Sequence, residues 1–100
     1  MVIVAGVFTV EHGQRDAFID SKIERMHSSR AERGCLEYTF SADPLVPGRV
    51  VLYERWESQE DLDAHLAAPV APSASPGADI VPISATIMVY DVTGERPLGG

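Results

Sequence analysis

The run "VIVAGVFTV" at residues 2 to 10 constrains the fold more than any other stretch of this chain. It is β-branched or aromatic at most positions and apolar on both alternating sets of side chains, the pattern of a strand covered on both faces. A chain of 100 residues makes one domain, and it buries only about two-thirds of the surface its unfolded form exposes. Helices can cover one face of such a strand. The other face then calls for a second copy of the chain.

The segments that follow supply the helical layer. "EHGQ" breaks the first strand, and from Arg15 to about Ala31 the apolar residues Phe18, Ile19, Ile23 and Met26 fall at helical spacing, which predicts one helix of about four turns ending near Gly34. "CLEYTFSA" (35 to 42) alternates as a strand, with Leu36, Tyr38 and Phe40 on one face. "DPLVPG" is turn chemistry, and "RVVLYERWE" (49 to 57) is the antiparallel partner strand.

Ser58 is a good N-cap, with Asp61 three residues on and Glu60 in the first turn; Leu62, His65 and Leu66 then recur on one face. Pro69 and Pro72 end this second helix near Ala68. Residues 69 to 79 are loop with a helical turn near 73 to 78, either a lid or a slack connector. "IVPISATIMVYDV" (80 to 92) is the last strand, and the domain is expected to span 1 to 93 with a flexible tail at 94 to 100. The order β-α-β-β-α-β predicts an α+β, ferredoxin-like fold: a four-stranded antiparallel sheet with both helices on one face. A homodimer in which two sheets meet face to face covers the rest.

The formal charge of −7, from 15 acidic and 8 basic residues, argues against nucleic acid as a partner. Arg15, Arg25, Arg30 and Arg33 are interleaved with Asp16, Asp20, Glu24 and Glu32, as on a solvated, salt-bridge-laced helix face. Lys22, the only lysine, falls within that polar face, which disfavours Schiff-base chemistry. A single cysteine, Cys35, excludes an intrachain disulfide and any cysteine-rich zinc site, and fits a reducing cytoplasm. The opening run has no basic segment or cleavage pattern and is too short to span a bilayer, so neither export nor membrane insertion is expected. The three histidines, 12, 27 and 65, have no metal-ligand spacing, and no glycine-rich dinucleotide fingerprint occurs.

"SRAERGCLEYTF" and "VVLYERWESQEDLDAHL", with Gly34, Cys35, Leu36, Tyr38, Glu54, Trp56, Ser58, Leu62 and His65 in register, resemble the antibiotic biosynthesis monooxygenase superfamily. The resemblance implies a dimeric α+β barrel that oxygenates a small aromatic or quinol-like compound with O2, without flavin, metal or haem. A deprotonated phenol can itself reduce dioxygen, so such a protein needs a dry pocket, a proton acceptor and an aromatic wall. The chain departs from some members. It contains no asparagine, and the position four before the tryptophan is Leu52, so an Asn-assisted mechanism is excluded. "APVAPS" stands where quinol monooxygenases carry a second histidine, and Ser75 lies roughly where haem-degrading members place a ligand.

Within that frame the expected catalytic residues are His65 as proton acceptor, Trp56 as a stacking wall and Glu54 as an orienting carboxylate. Leu52, Leu62, Phe18, Ile23 and Met26 are the expected substrate-contacting apolar residues. Each has a plainer alternative: His65 as a core histidine, Trp56 as the largest core side chain, Glu54 in a structural ion pair, and the helix residues as ordinary core. Two other functions remain open on the same scaffold, a proton-transfer isomerase and a non-catalytic dimeric binding or accessory protein. Tyr53, Arg55 and Glu57 point the other way, where Arg55 is expected to meet a carboxylate of the partner copy.

Overall fold

The computed structural model describes residues 1–99. Strand β1 (Val2–Thr9) is followed by two short helices, α1 (Arg15–Asp20) and α2 (Ile23–Arg30), then by β2 (Cys35–Ala42) and β3 (Arg49–Trp56). Helix α3 (Gln59–Ala67), a 3-10 turn (Pro76–Asp79) and β4 (Ser84–Asp91) complete the chain. The four strands form one sheet in the order β2-β3-β1-β4 with every neighbouring pair antiparallel, the ferredoxin-like arrangement. The expected tail, 94 to 100, ends at Gly100, which lies outside the described residues.

The core lies between the sheet and the helices. Register places Val2 and Val4 beside Trp56 and Glu54, and Tyr38 and Phe40 beside Glu54 and Leu52, so all of these side chains share one face. Phe18 of α1 and Leu62 of α3 close on them from above, and Val50 and Trp56 are wholly buried. Burying each such side chain contributes roughly 1.5–3 kcal/mol. Ser58 caps α3 as its sequence predicts: its hydroxyl oxygen accepts from the Asp61 N–H at 3.1 Å and its O–H donates to Asp61 Oδ2 at 2.9 Å. Gly34, at φ +79°, lets the chain enter β2 against that cap, since a Cβ there would collide with the Asp61 carboxylate.

The first helix differs from expectation in being two. The Ser21 hydroxyl donates to the Phe18 carbonyl at 2.6 Å, and the Lys22 N–H bonds the Ile19 carbonyl at 2.9 Å instead of continuing the i−4 ladder. The ladder resumes where the Met26 N–H meets the Lys22 carbonyl at 2.8 Å. This break turns Ile23 toward solvent, at 43% exposure, whereas a continuous helix predicts it against the sheet. It also turns Lys22 inward, with Nζ 4.9 Å from the centre of the Phe18 ring and 6.0 Å from that of Phe40.

Two further expectations need correction. A bulge between Cys35 and Glu37 leaves Leu36 out of register and exposed, so it does not share the face of Tyr38 and Phe40. The salt-bridge-laced face is also missing: among the described residues no ion pair joins the four arginines to Asp16, Asp20, Glu24 or Glu32. Three of them tie elements together instead. Arg15 donates to the Asp43 and Val46 carbonyls of the β2–β3 turn, Arg25 reaches α3, and Arg30 donates to the Tyr38 carbonyl at 2.9 Å.

The opposite sheet face is open. Its apolar positions include Ile3, Ala5 and Val7 of β1, Val51 and Tyr53 of β3, and Met88 and Tyr90 of β4. The helices also stop short of β4, so Ile87 and Val89 on the helix side are about half exposed too. Arg55, on the open face, has a buried Nε with no hydrogen-bond partner among the described residues.

Candidate active site

Strand β3 brings Glu54 and Trp56 to one face two residues apart, and the indole N–H donates to Glu54 Oε1 at 3.0 Å. Helix α3 lowers His65 onto that indole, with ring centres 4.7 Å apart, while the Tyr38 ring stands 5.5 Å away on the other side. The imidazole is 3% exposed and both of its nitrogens are engaged. Nδ1 lies 2.8 Å from Glu32 Oε1, and Nε2 lies 3.1 Å from Nη2 of Arg25. A guanidinium can only donate and a carboxylate only accept, so the ring that satisfies both is neutral, with its proton on Nδ1 and its lone pair on Nε2 facing Arg25.

Beside this cluster is a groove of about 630 Å³ between α2, β2 and the connector after α3. Tyr38 and Phe40 form its floor, their rings 5.9 Å apart and edge-on. Lys22, Arg25 and Ser28 form one wall, with Glu24 at its rim, and Pro69, Val70, Pro72 and Ser73 form the other. The connector is neither wholly lid nor wholly slack. Its first residues line the groove, and its 3-10 turn packs on α1, where Gly77 meets the Ala17 carbonyl so closely that a Cβ would not fit.

The site expected from sequence therefore divides into two layers. His65, Trp56 and Glu54 come together, buried, one layer behind the groove. None of the three is on its wall; they reach it through Arg25 and Tyr38, which touch both. Phe18, Leu52 and Leu62 are buried core, Met26 packs at the core's edge, and Ile23 is exposed; none of these lines the groove.

Lys22, Arg25, Phe40 and Glu32 complete the arrangement without having been singled out from sequence as site residues; Tyr38, whose hydroxyl sequence parity leaves open to a ligand or to the interface, lies on the groove side. A signal for the helix residues does exist. Phe18, Lys22, Arg25 and Ser29 are spaced four, three and four apart, a helical stripe that an apolar count passes over because three of its members are polar.

The charges are set by burial. It pushes the Glu54 carboxyl above its ordinary pKa, against the opposing pull of the Trp56 N–H and the Arg25 cation. It also raises the Tyr38 phenol, with the Glu54 charge adding to the effect. Lys22 is lowered, first by burial and then by the neighbouring Arg25 cation. The Cys35 thiol is raised by burial and nearby carboxylates, which disfavours the thiolate, and its side chain packs against the core. No group of three or more His, Cys, Asp or Glu placed to hold a metal occurs among the described residues.

The chain is a small ferredoxin-like α+β domain with a groove over an aromatic floor, and family comparison narrows that class. The chain matches the antibiotic biosynthesis monooxygenase family model over residues 1–73, and it belongs to that family. It is 26% identical over 98 residues to an uncharacterized protein of Synechocystis, sll1783, covering 97% of this chain and 67% of that protein. Among solved structures, a Deinococcus radiodurans protein assigned to the same monooxygenases superposes with a TM-score of 0.77 at 21% identity, covering 97% of both chains. SnoaB, a cofactor-independent oxygenase from Streptomyces nogalater, superposes with a TM-score of 0.70 at 17% identity, covering 96% of each. At these identities the two structures establish a shared fold.

Proposed function

We propose that the chain is a cofactor-independent monooxygenase that oxidises a small aromatic or quinol-like compound with O2 in the groove floored by Tyr38 and Phe40. The observation that carries this reading is the placement of His65, whose Nε2 lies 3.1 Å from Arg25 and so one guanidinium away from the groove, with Glu32 on its Nδ1. Membership of the family and the fold shared with an oxygenase named as cofactor-independent support it.

In this reading the substrate ring lies on Tyr38 and Phe40. When Arg25 swings from Nε2 toward the substrate oxygen, His65 accepts the phenolic proton and Glu32 stabilises the imidazolium through Nδ1–H. The phenolate passes an electron to O2 and the radical pair combines into a peroxide anion at carbon, which takes the proton back from the His65 imidazolium; cleavage of the O–O bond with loss of the hydrogen on that carbon then releases water and leaves a carbonyl. One oxygen atom ends in the product and one in water. Trp56 holds the imidazole from behind, and Glu54 fixes the indole. A homodimer through the open sheet face and residence in the cytoplasm belong to the same proposal; no described helix is long and apolar enough to cross a membrane.

The test is oxygen uptake on a panel of hydroquinones and anthrones. His65→Ala should lower the rate by about 10²–10⁴-fold with the fold intact by circular dichroism. Equal rates for wild type and variant on every active substrate would remove His65 from the mechanism.

One observation favours a second reading, a binding module that holds such a compound without converting it: both imidazole nitrogens are already bonded and the ring is off the groove wall. Saturable binding with no oxygen consumed on any member of the panel would decide for it.

A further inference from the structure

The chain carries a net charge of −7, yet the groove is lined by two cations, Lys22 and Arg25. Neither is within 4.0 Å of a carboxylate among the described residues, and Glu24 at the rim forms no ion pair with either. Lys22 has no carboxylate partner among the described residues, and Arg25, hydrogen-bonded to the His65 imidazole, feels Glu54 only from behind the groove; the two neighbouring cations repel each other, and the groove's partial enclosure weakens screening. The arrangement is therefore held ready for a negative charge. Ordinary surface lysines extend into water, whereas Lys22 is folded over the Phe18 and Phe40 rings by the helix break at Ser21. The lowered affinity of its amine for a proton, from burial and from Arg25, fits the same picture.

Below the cations lies an apolar bed. Tyr38 and Phe40, both largely buried, line its base, Val70 and Pro72 close the far side, and about 630 Å³ is space for a one- or two-ring compound. We infer that the groove selects a planar aromatic acid, its ring on Tyr38 and Phe40 and its carboxylate between Lys22 and Arg25. This deepens the reading of the groove as the substrate site and rests on it.

Calorimetric titration under nitrogen, which keeps quinols reduced, compares 1,4-dihydroxy-2-naphthoate with 1,4-dihydroxynaphthalene. The acid should bind wild-type protein about tenfold more tightly or better, as expected when a carboxylate gains charged donors. The preference should shrink to within about threefold in Lys22→Met, persist in Lys22→Arg, and weaken as salt rises. Equal affinities in wild type, a preference untouched by Lys22→Met, or displacement of the acid by inorganic phosphate at matching concentration would overturn the inference. Should Lys22→Met not fold, the Lys22→Arg and salt results decide.

Oxygen uptake separates this inference from the functional reading. Selective binding of the acid without uptake leaves the anion site standing and sinks the monooxygenase. Uptake on the neutral quinol without any preference for the acid does the reverse.

Discussion

At the scale of single residues, the buried cluster around His65 is a set of polar groups that satisfy one another: indole to carboxylate, imidazole to carboxylate, guanidinium to imidazole. Glu54 is the member held against its preference. Its folded-state pKa lies above the ordinary 4.5, so the protonated form favours folding; that contribution is full below the unfolded value and is lost as pH rises through the folded one. Glu54→Gln keeps an oxygen for the Trp56 N–H and carries no charge. Its stability relative to wild type should therefore grow as pH rises above the ordinary carboxyl value of 4.5, read as a rising difference in urea midpoints at constant slope. A flat difference would mean that the carboxylate is not desolvated. The sequence shows His65, Glu54 and Trp56 through strand parity and helix spacing. It hides Arg25 and Glu32, because long charged side chains among other charges look like solvated surface until the break at Ser21 fixes where they point.

At the scale of elements, strands were easier to read than helices. Alternation places β2 at its observed limits and β3 within one residue, and the Ser58 cap fixes the start of α3. The failures have local causes that periodicity cannot register: a hydroxyl that takes the Phe18 carbonyl divides the first helix, and one extra residue at Leu36 shifts a strand. The junction of β2 with α3 depends on Gly34. Gly34→Ala adds the left-handed penalty of about 1–2 kcal/mol and pushes Asp61 out of its cap, which is worth about 1 kcal/mol more. Ser58→Ala should cost only the latter. Denaturant midpoints for the two variants should rank in that order, and the reverse order would mean that the glycine is not needed where it stands.

At the scale of the whole molecule, the open sheet face meets the first demand of the sequence, a strand covered on both sides, only when a second copy is present. Val51, Tyr53, Met88 and Tyr90 are exposed or half-exposed there. Sedimentation should show a dimer that Met88→Glu shifts toward monomer, with the apparent unfolding midpoint becoming less dependent on protein concentration. A wild-type monomer at high micromolar concentration would refute this. Arg25 has a longer reach than its size suggests, since one guanidinium serves both the groove and the buried imidazole that rests on the chain's sole tryptophan. Whatever draws that guanidinium away alters the surroundings of the indole, so the protein carries its own lamp: filling of the groove can be followed by intrinsic emission, without a dye.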